Sequence, residues 1–350
     1  MTDIPMTPAA IRAARAEHSA LRDRDFADRF GISEGQLVAA YAGEGVTRIN
    51  PAPDGIMPRL AALGEVMALT RNTSCVIEKV GVYDNYRSGQ HASMVLNDAI
   101  DLRLFPKHFV TAFAVERETD KGVKRSIQIF DAAGDAVHKV HLRDASDLAA
   151  WAQLVADLKL EDQSQALAVE PRKPAEPPKG NPEKADALRA EWAKMTDTHQ
   201  FMRLTSKLKM NRLGAYRLAG EPLARALETG AVNTMLEAVR DQCVDVMIFA
   251  GNMGCIEIHS GPVKSLRGMG PWQNILDPGF DLHLRLDHIA EVWAVTKPTQ
   301  RGDAVSVEAF DAAGGLILQV FGRRSEAKDH RPEWNGIVES LASLAAAEMA

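Results

Sequence analysis

The feature that most constrains this chain is an internal repeat. Asp101–Val140, "DLRLFPKHFVTAFAVERETDKGVKRSIQIFDAAGDAVHKV", aligns without a gap on Asp281–Val320, "DLHLRLDHIAEVWAVTKPTQRGDAVSVEAFDAAGGLILQV", with 15 of 40 positions identical. The same offset of 180 residues holds upstream, where "VMALTRNTSCVIEKVG" matches "VMIFAGNMGCIEIHSG" and pairs Asn72 with Asn252, Cys75 with Cys255 and Gly81 with Gly261. A chain built this way folds as two copies of one unit.

Each copy opens with helical spacing of apolar residues, as in "FGISEGQLVAAYAG" and its counterpart "LKMNRLGAYRLAG". Short apolar runs follow, among them "SCVIEKV", "DLRLF", "FVTAFAV" and "RSIQIF", separated by a few residues and punctuated by glycine, which predicts antiparallel strands. In both copies Asp-Ala-Ala-Gly joins two strands. Asp131 and Asp311 can start the turn, and Gly134 and Gly314 can close it with positive φ. The expected fold class is α+β, a tandem structural duplication with a large antiparallel sheet and packed helices in each half. Two such halves packed face to face leave a ligand cleft between them.

The copies are joined by residues 161–187, "EDQSQALAVEPRKPAEPPKGNPEKADA", where Pro171, Pro174, Pro177, Pro178 and Pro182 forbid a continuous helix or a central strand. An extended, partly mobile linker is expected there. It divides the chain into an N-terminal repeat, 1–160, the linker, and a C-terminal repeat, 188–350.

Composition excludes several classes of function. With 46% apolar and 25% charged residues the chain is that of a globular protein with a sizeable core. A formal net charge of −6 argues against holding nucleic acid through bulk electrostatics. Cys75, Cys243 and Cys255 are odd in number and widely spaced, without the pairing of a zinc or redox motif, which fits a reducing cytoplasm. The first thirty residues lack the apolar core of a signal peptide, and no run of about 18 apolar residues occurs, so neither export nor a membrane span is expected.

Framework residues can stay alike in two copies while site residues diverge, so the differences are informative. His199 in "MTDTHQFMRL" has no histidine counterpart in the first copy, and Arg103 in "DLRLF" corresponds to His283. Locally, Asp197 followed by Gln200 fits an N-cap box that places His199 at the second helical position. Nothing in that box requires a histidine. His138 and His141, three apart on a strand, point to opposite faces and do not form a metal pair. The glycine loops "GNMGC" and "GPVKSLRGMG" lack the spacing of a phosphate cradle, and no nucleophile triad stands out.

Taken together, "EWAKMTDTHQFMRL", "VMIFAGNMGCIEIHSGPV", "PWQNILDPGFDLHL" and "VTKPTQRG", with "GEVMALTRN" and "DLRLF" in the first half, resemble the HmuS/HemS/ChuS family of bacterial cytoplasmic haem-utilisation proteins. The resemblance covers nearly the whole chain, and the family's "MTDVHQF" stands here as "MTDTHQF". It implies one haem b per chain, with His199 as the axial ligand to the haem iron. It implies further haem contacts from Arg103, Arg212, Lys297, Gln319, Phe321 and Arg324, the arginine forks being suited to carboxylates such as propionates. Two departures stand out. Phe321 replaces a tyrosine found in several members, and Ile77 replaces a histidine, which weakens the case for a second site in the first half. The family's roles are carriage of imported haem to a degrading enzyme, and alternatively ring opening with external reductant, for which His199 and Arg103 are the catalytic candidates. The implied partners are a haem oxygenase or the cytoplasmic side of a haem ABC importer.

Overall fold

A computed structural model describes residues 6–345, and the chain divides into two compact units. The first holds the residues up to Arg71, Ile77–Lys173 and Gly251–Glu257, while the second holds Asn72–Val76, Pro174–Ala250 and the chain from Ile258 onward. The division of the linker falls between Lys173 and Pro174.

In the first unit five strands run antiparallel in the order Val46–Ile49, Thr111–Thr119, Gly122–Phe130, Ala136–Leu142 and Val66–Arg71. In the second the order is Ala224–Leu227, Glu291–Lys297, Ala304–Phe310, Leu316–Gly322 and Val246–Gly251. The α+β reading and the duplication are borne out down to an irregularity of register, which falls between Ile129 and Phe130 in one sheet and between Ala309 and Phe310 in the other. Both predicted turns form. Asp131 Oδ1 accepts from Ala133 N and Asp135 N at 2.9 and 3.0 Å, and Asp311 Oδ1 from Ala313 N and Gly315 N at 2.9 and 2.8 Å. Gly134 and Gly314 take φ of 75° and 85°.

The central strands read as unbroken apolar runs because both faces are covered, and successive side chains alternate between two cores. Phe113, Val115 and Phe130 pack with Val38 and Ala39 of a helix at Glu34–Ala39, whereas Ala112, Ala114, Ile127 and Ile129 pack with Ile56, Leu60, Trp151 and Leu154 of the helices Pro53–Leu60 and Leu148–Leu158. In the second unit the helices Ala185–Trp192, Gln200–Lys207 and Arg212–Ala219 share a core with Trp293, Val295 and Phe310.

The repeated asparagines build matching turns. Asn72 Oδ1 accepts from Ser74 N and Cys75 N, and Asn252 Oδ1 from Gly254 N and Cys255 N. Each turn belongs to the unit encoded by the other copy. Asn72 Nδ2 donates to Ile317 O at 2.8 Å in the second unit. Asn252 Nδ2 donates to Arg71 O and Val137 O, both at 2.9 Å, in the first. There Cys255, Ile256 and Glu257 also pair with Leu104, Arg103 and Leu102.

The exchanged strand carries Glu257 into the first unit, fully buried, with no hydrogen-bond partner among the described residues for either carboxylate oxygen. Burial pushes its carboxyl up to about 8. Thr70 and Lys79 oppose that shift, although the Thr70 hydroxyl is bonded to His138 Nδ1 at 2.8 Å and makes no hydrogen bond to Glu257. A carboxyl whose folded value lies above its unfolded one stabilises most below the unfolded value, about pH 4.3, and that contribution disappears as pH rises through about 8. Glu257→Gln should therefore match the parent only below about pH 4, exceed it by about 1 kcal/mol at pH 5 and by several times that near pH 9 in urea unfolding.

The linker carries no helix or strand between residues 161 and 181. It is extended, but it is fastened along its length, because its amides and carbonyls find partners that a solvated tether would leave to water. Gln163 brackets Arg48 by accepting from its N and donating to its O, both at 2.9 Å, and Glu170 N donates to Ala132 O at 2.8 Å. On the second unit Asn211 receives Lys179 N on its Oδ1 at 2.9 Å, donates Nδ2 to Pro177 O at 2.8 Å, and donates its own N to Lys179 O at 3.0 Å.

Candidate functional site

The helix Gln200–Lys207 starts two residues later than expected, so that His199 stands at its N-cap rather than at its second helical position. The expected Asp197 box is not formed. Instead Gln200 reaches back to Thr196, accepting from its N at 3.0 Å and donating to its Oγ1 at 3.2 Å. Asp197 closes an Asx turn, its Oδ1 accepting from His199 N at 2.8 Å. The same oxygen lies 2.7 Å from His199 Nδ1. The backbone N–H and then the ring of His199 hold the Asp197 carboxyl below the usual carboxylate range. The imidazole stands at the helix boundary with 93% of its side chain exposed.

The same unit holds a buried polar cluster centred on Glu308. Its Oε1 accepts from Lys297 Nζ at 2.7 Å and Ser306 Oγ at 2.9 Å, and its Oε2 from Arg212 Nη1 and Tyr216 OH, each at 2.9 Å. Lys297 Nζ also donates to Tyr216 OH at 2.9 Å and sits 5.0 Å from the Phe201 ring centroid. Burial alone would raise the Glu308 carboxyl, but the charges of Lys297 and Arg212 outweigh it and hold the group well below its ordinary value. Burial pulls the Lys297 ammonium down to about 8, with Glu308 opposing. For Arg212 burial works against the charge, and Tyr216 and Glu308 more than offset it.

This cluster gathers most of the residues singled out from sequence. Gln319 is the cross-strand partner of Glu308, and Phe321 that of Ser306, so both lie on the same sheet face. Phe321 packs edge-on against Phe249 with ring centroids 5.5 Å apart. Arg212 opens its helix behind an Asn211 cap, with Nη2 3.5 Å from Met202 Sδ. Lys297 is buried in its ion pair, which a charged lysine needs inside a protein, and is not a free surface cation. Arg324 is exposed beyond the end of the strand Leu316–Gly322. Arg103 belongs to the first unit, where it pairs with Asp101 and donates to Leu102 O at 3.1 Å. Among the described residues no group of three or more histidine, cysteine or acidic side chains is placed to hold a metal ion.

Sequence reasoning missed Glu308, Ser306 and Tyr216. A signal existed for the first: in "VSVEAF" an acid interrupts an apolar strand, where the other copy has Gln128.

The family described as the haemin-degrading HemS/ChuX domain matches residues 31–158 and again 209–341, once per copy. The hemin transport protein HmuS of Yersinia pestis is 36% identical over 333 residues, 95% of each chain. Among solved structures, holo-PhuS, a heme-binding protein from Pseudomonas aeruginosa, superposes with a TM-score of 0.91 at 42% identity, covering 97% of this chain and all of that one. ChuS, a heme-degrading enzyme of Escherichia coli, gives 0.87 at 31% identity, covering 96% of this chain and all of that one.

Proposed function

The chain belongs to the haemin-degrading HemS/ChuX family, and from that membership we propose that it binds one haem b per chain through His199 and passes it as cargo to an acceptor. The observation that carries this reading is the exposed imidazole whose Nδ1 is tied to Asp197, which leaves Nε2 free to donate to a metal. Haem supplies the iron that takes this nitrogen, two propionates and a broad apolar face. Arg212, partly exposed at the edge of the Glu308 cluster, and Arg324 are the cations of the second unit suited to propionates. Phe321 offers an aromatic wall, and Lys297 acts indirectly by neutralising Glu308, which keeps Arg212 in place. Arg103 is assigned a haem contact only through its motif.

A histidine on the surface suits transfer, because an incoming ligand can reach iron without opening a core. In the cell such a carrier stands between a haem importer and a haem oxygenase. The description of ChuS as a heme-degrading enzyme favours a second reading, in which the bound haem is itself opened. Titration with hemin should give a Soret band that saturates at one haem per chain. In His199→Ala the affinity should fall by roughly 100-fold or more, on the order of 3 kcal/mol; unchanged binding would overturn the ligand assignment. Reductant and oxygen are then supplied with catalase present. Intact haem that moves to apo-acceptor supports carriage, and a defined tetrapyrrole product formed with turnover supports degradation.

A further inference from the structure

Building on the haem-binding reading, we infer that Asp197 is a positioning residue that fixes which imidazole nitrogen of His199 faces the metal and sets its donor strength. A carboxylate only accepts hydrogen bonds, so its 2.7 Å contact with Nδ1 requires the proton on that nitrogen. The neutral ring is then locked as the Nδ1–H tautomer, with the Nε2 lone pair outward. The turn that aims the carboxylate is itself fixed at both ends. Asp197 Oδ1 holds His199 N at 2.8 Å, Gln200 clasps Thr196 on either side of it, and Thr196 O receives Gln300 N at 3.0 Å.

A carboxylate behind a metal-bound imidazole orients the ring and raises its basicity. A more basic donor favours the higher oxidation state, so Asp197 biases bound haem toward ferric iron and slows its release. That bias matters to both fates considered above, because a carrier must hold ferric haem and a degrading enzyme must allow its reduction. The plain alternative is that Asp197 only shapes the turn. Asp197→Asn separates the two, since an amide oxygen still accepts from the backbone of His199 but carries no charge, and Asp197→Ala removes both functions.

The first measurement needs no haem. Nitrogen-15 NMR of the full-length apoprotein at neutral pH should find neutral His199 in the Nδ1–H form, and Asp197→Ala should shift it toward the Nε2–H form. In the hemin complex both variants should bind ferric haem about 10–100-fold more weakly and show a higher reduction potential than the parent, with Asp197→Asn keeping the parent's circular dichroism and unfolding midpoint. An Nε2–H tautomer in the parent, or a potential unchanged in both variants, overturns the inference. Failure of the haem reading is distinct, because it appears as parental hemin binding in His199→Ala whatever the tautomer experiment gives.

Discussion

Glu308→Ala should cost about 3–5 kcal/mol of folding free energy in urea unfolding. The carboxylate is fully buried and takes four donors, so its removal leaves the Lys297 ammonium inside the core with Tyr216 OH as its one hydrogen-bond partner among the described residues. Arg212 loses its anchor at the same time. Acid should narrow the gap between variant and parent. The Glu308 carboxyl lies well below its ordinary value when folded, so its contribution is complete above the unfolded value, about pH 4.3, and is lost as pH falls toward the folded one. A variant as stable as the parent at neutral pH would show that the cluster is solvated rather than buried.

Gly214→Val should release the linker from the second unit. A Cβ at Gly214 would stand 2.1 Å from the carbonyl carbon and oxygen of Lys179 and 2.6 Å from Gly180 N, and backbone atoms cannot rotate away as a side chain can. The strap that Asn211 holds through three hydrogen bonds must move, at a cost of about 1–3 kcal/mol. Trypsin should then cut after Lys179 several times faster than in the parent. Gly230→Ala serves as the control, because a Cβ there meets nothing within 4 Å. Equal cleavage in parent and Gly214→Val would mean that the linker is already loose.

The architecture was legible where the chain repeats itself. The Asp-Ala-Ala-Gly hairpins and the Asn72 and Asn252 turns are local, and a gapless offset marks each of them twice. What the repeat could not reveal is which copy each turn serves. Asn72 reaches Ile317, 245 residues away, and no local pattern encodes a partner at that distance. The helix start was misread for a related reason, since Asp197 and Gln200 both fit a box and only the fold decides that Gln200 takes Thr196 while Asp197 takes His199. Lys297 shows the limit of reading site residues singly. As an isolated letter it is a surface cation, and it becomes a buried ion-pair partner only once Glu308 is placed across from it.

The exchanged strands also set an order of events. Gly251–Glu257 completes the first unit, yet residues 174–250 are synthesised before it arrives. At about 5–20 residues per second that is a wait of roughly 4–15 s on the ribosome. Throughout it the strand Asp101–Leu104 presents a bare hydrogen-bonding edge to its surroundings. The first repeat therefore cannot finish folding as it emerges, and a nascent chain stalled before residue 251 is the form of this protein most in need of a chaperone.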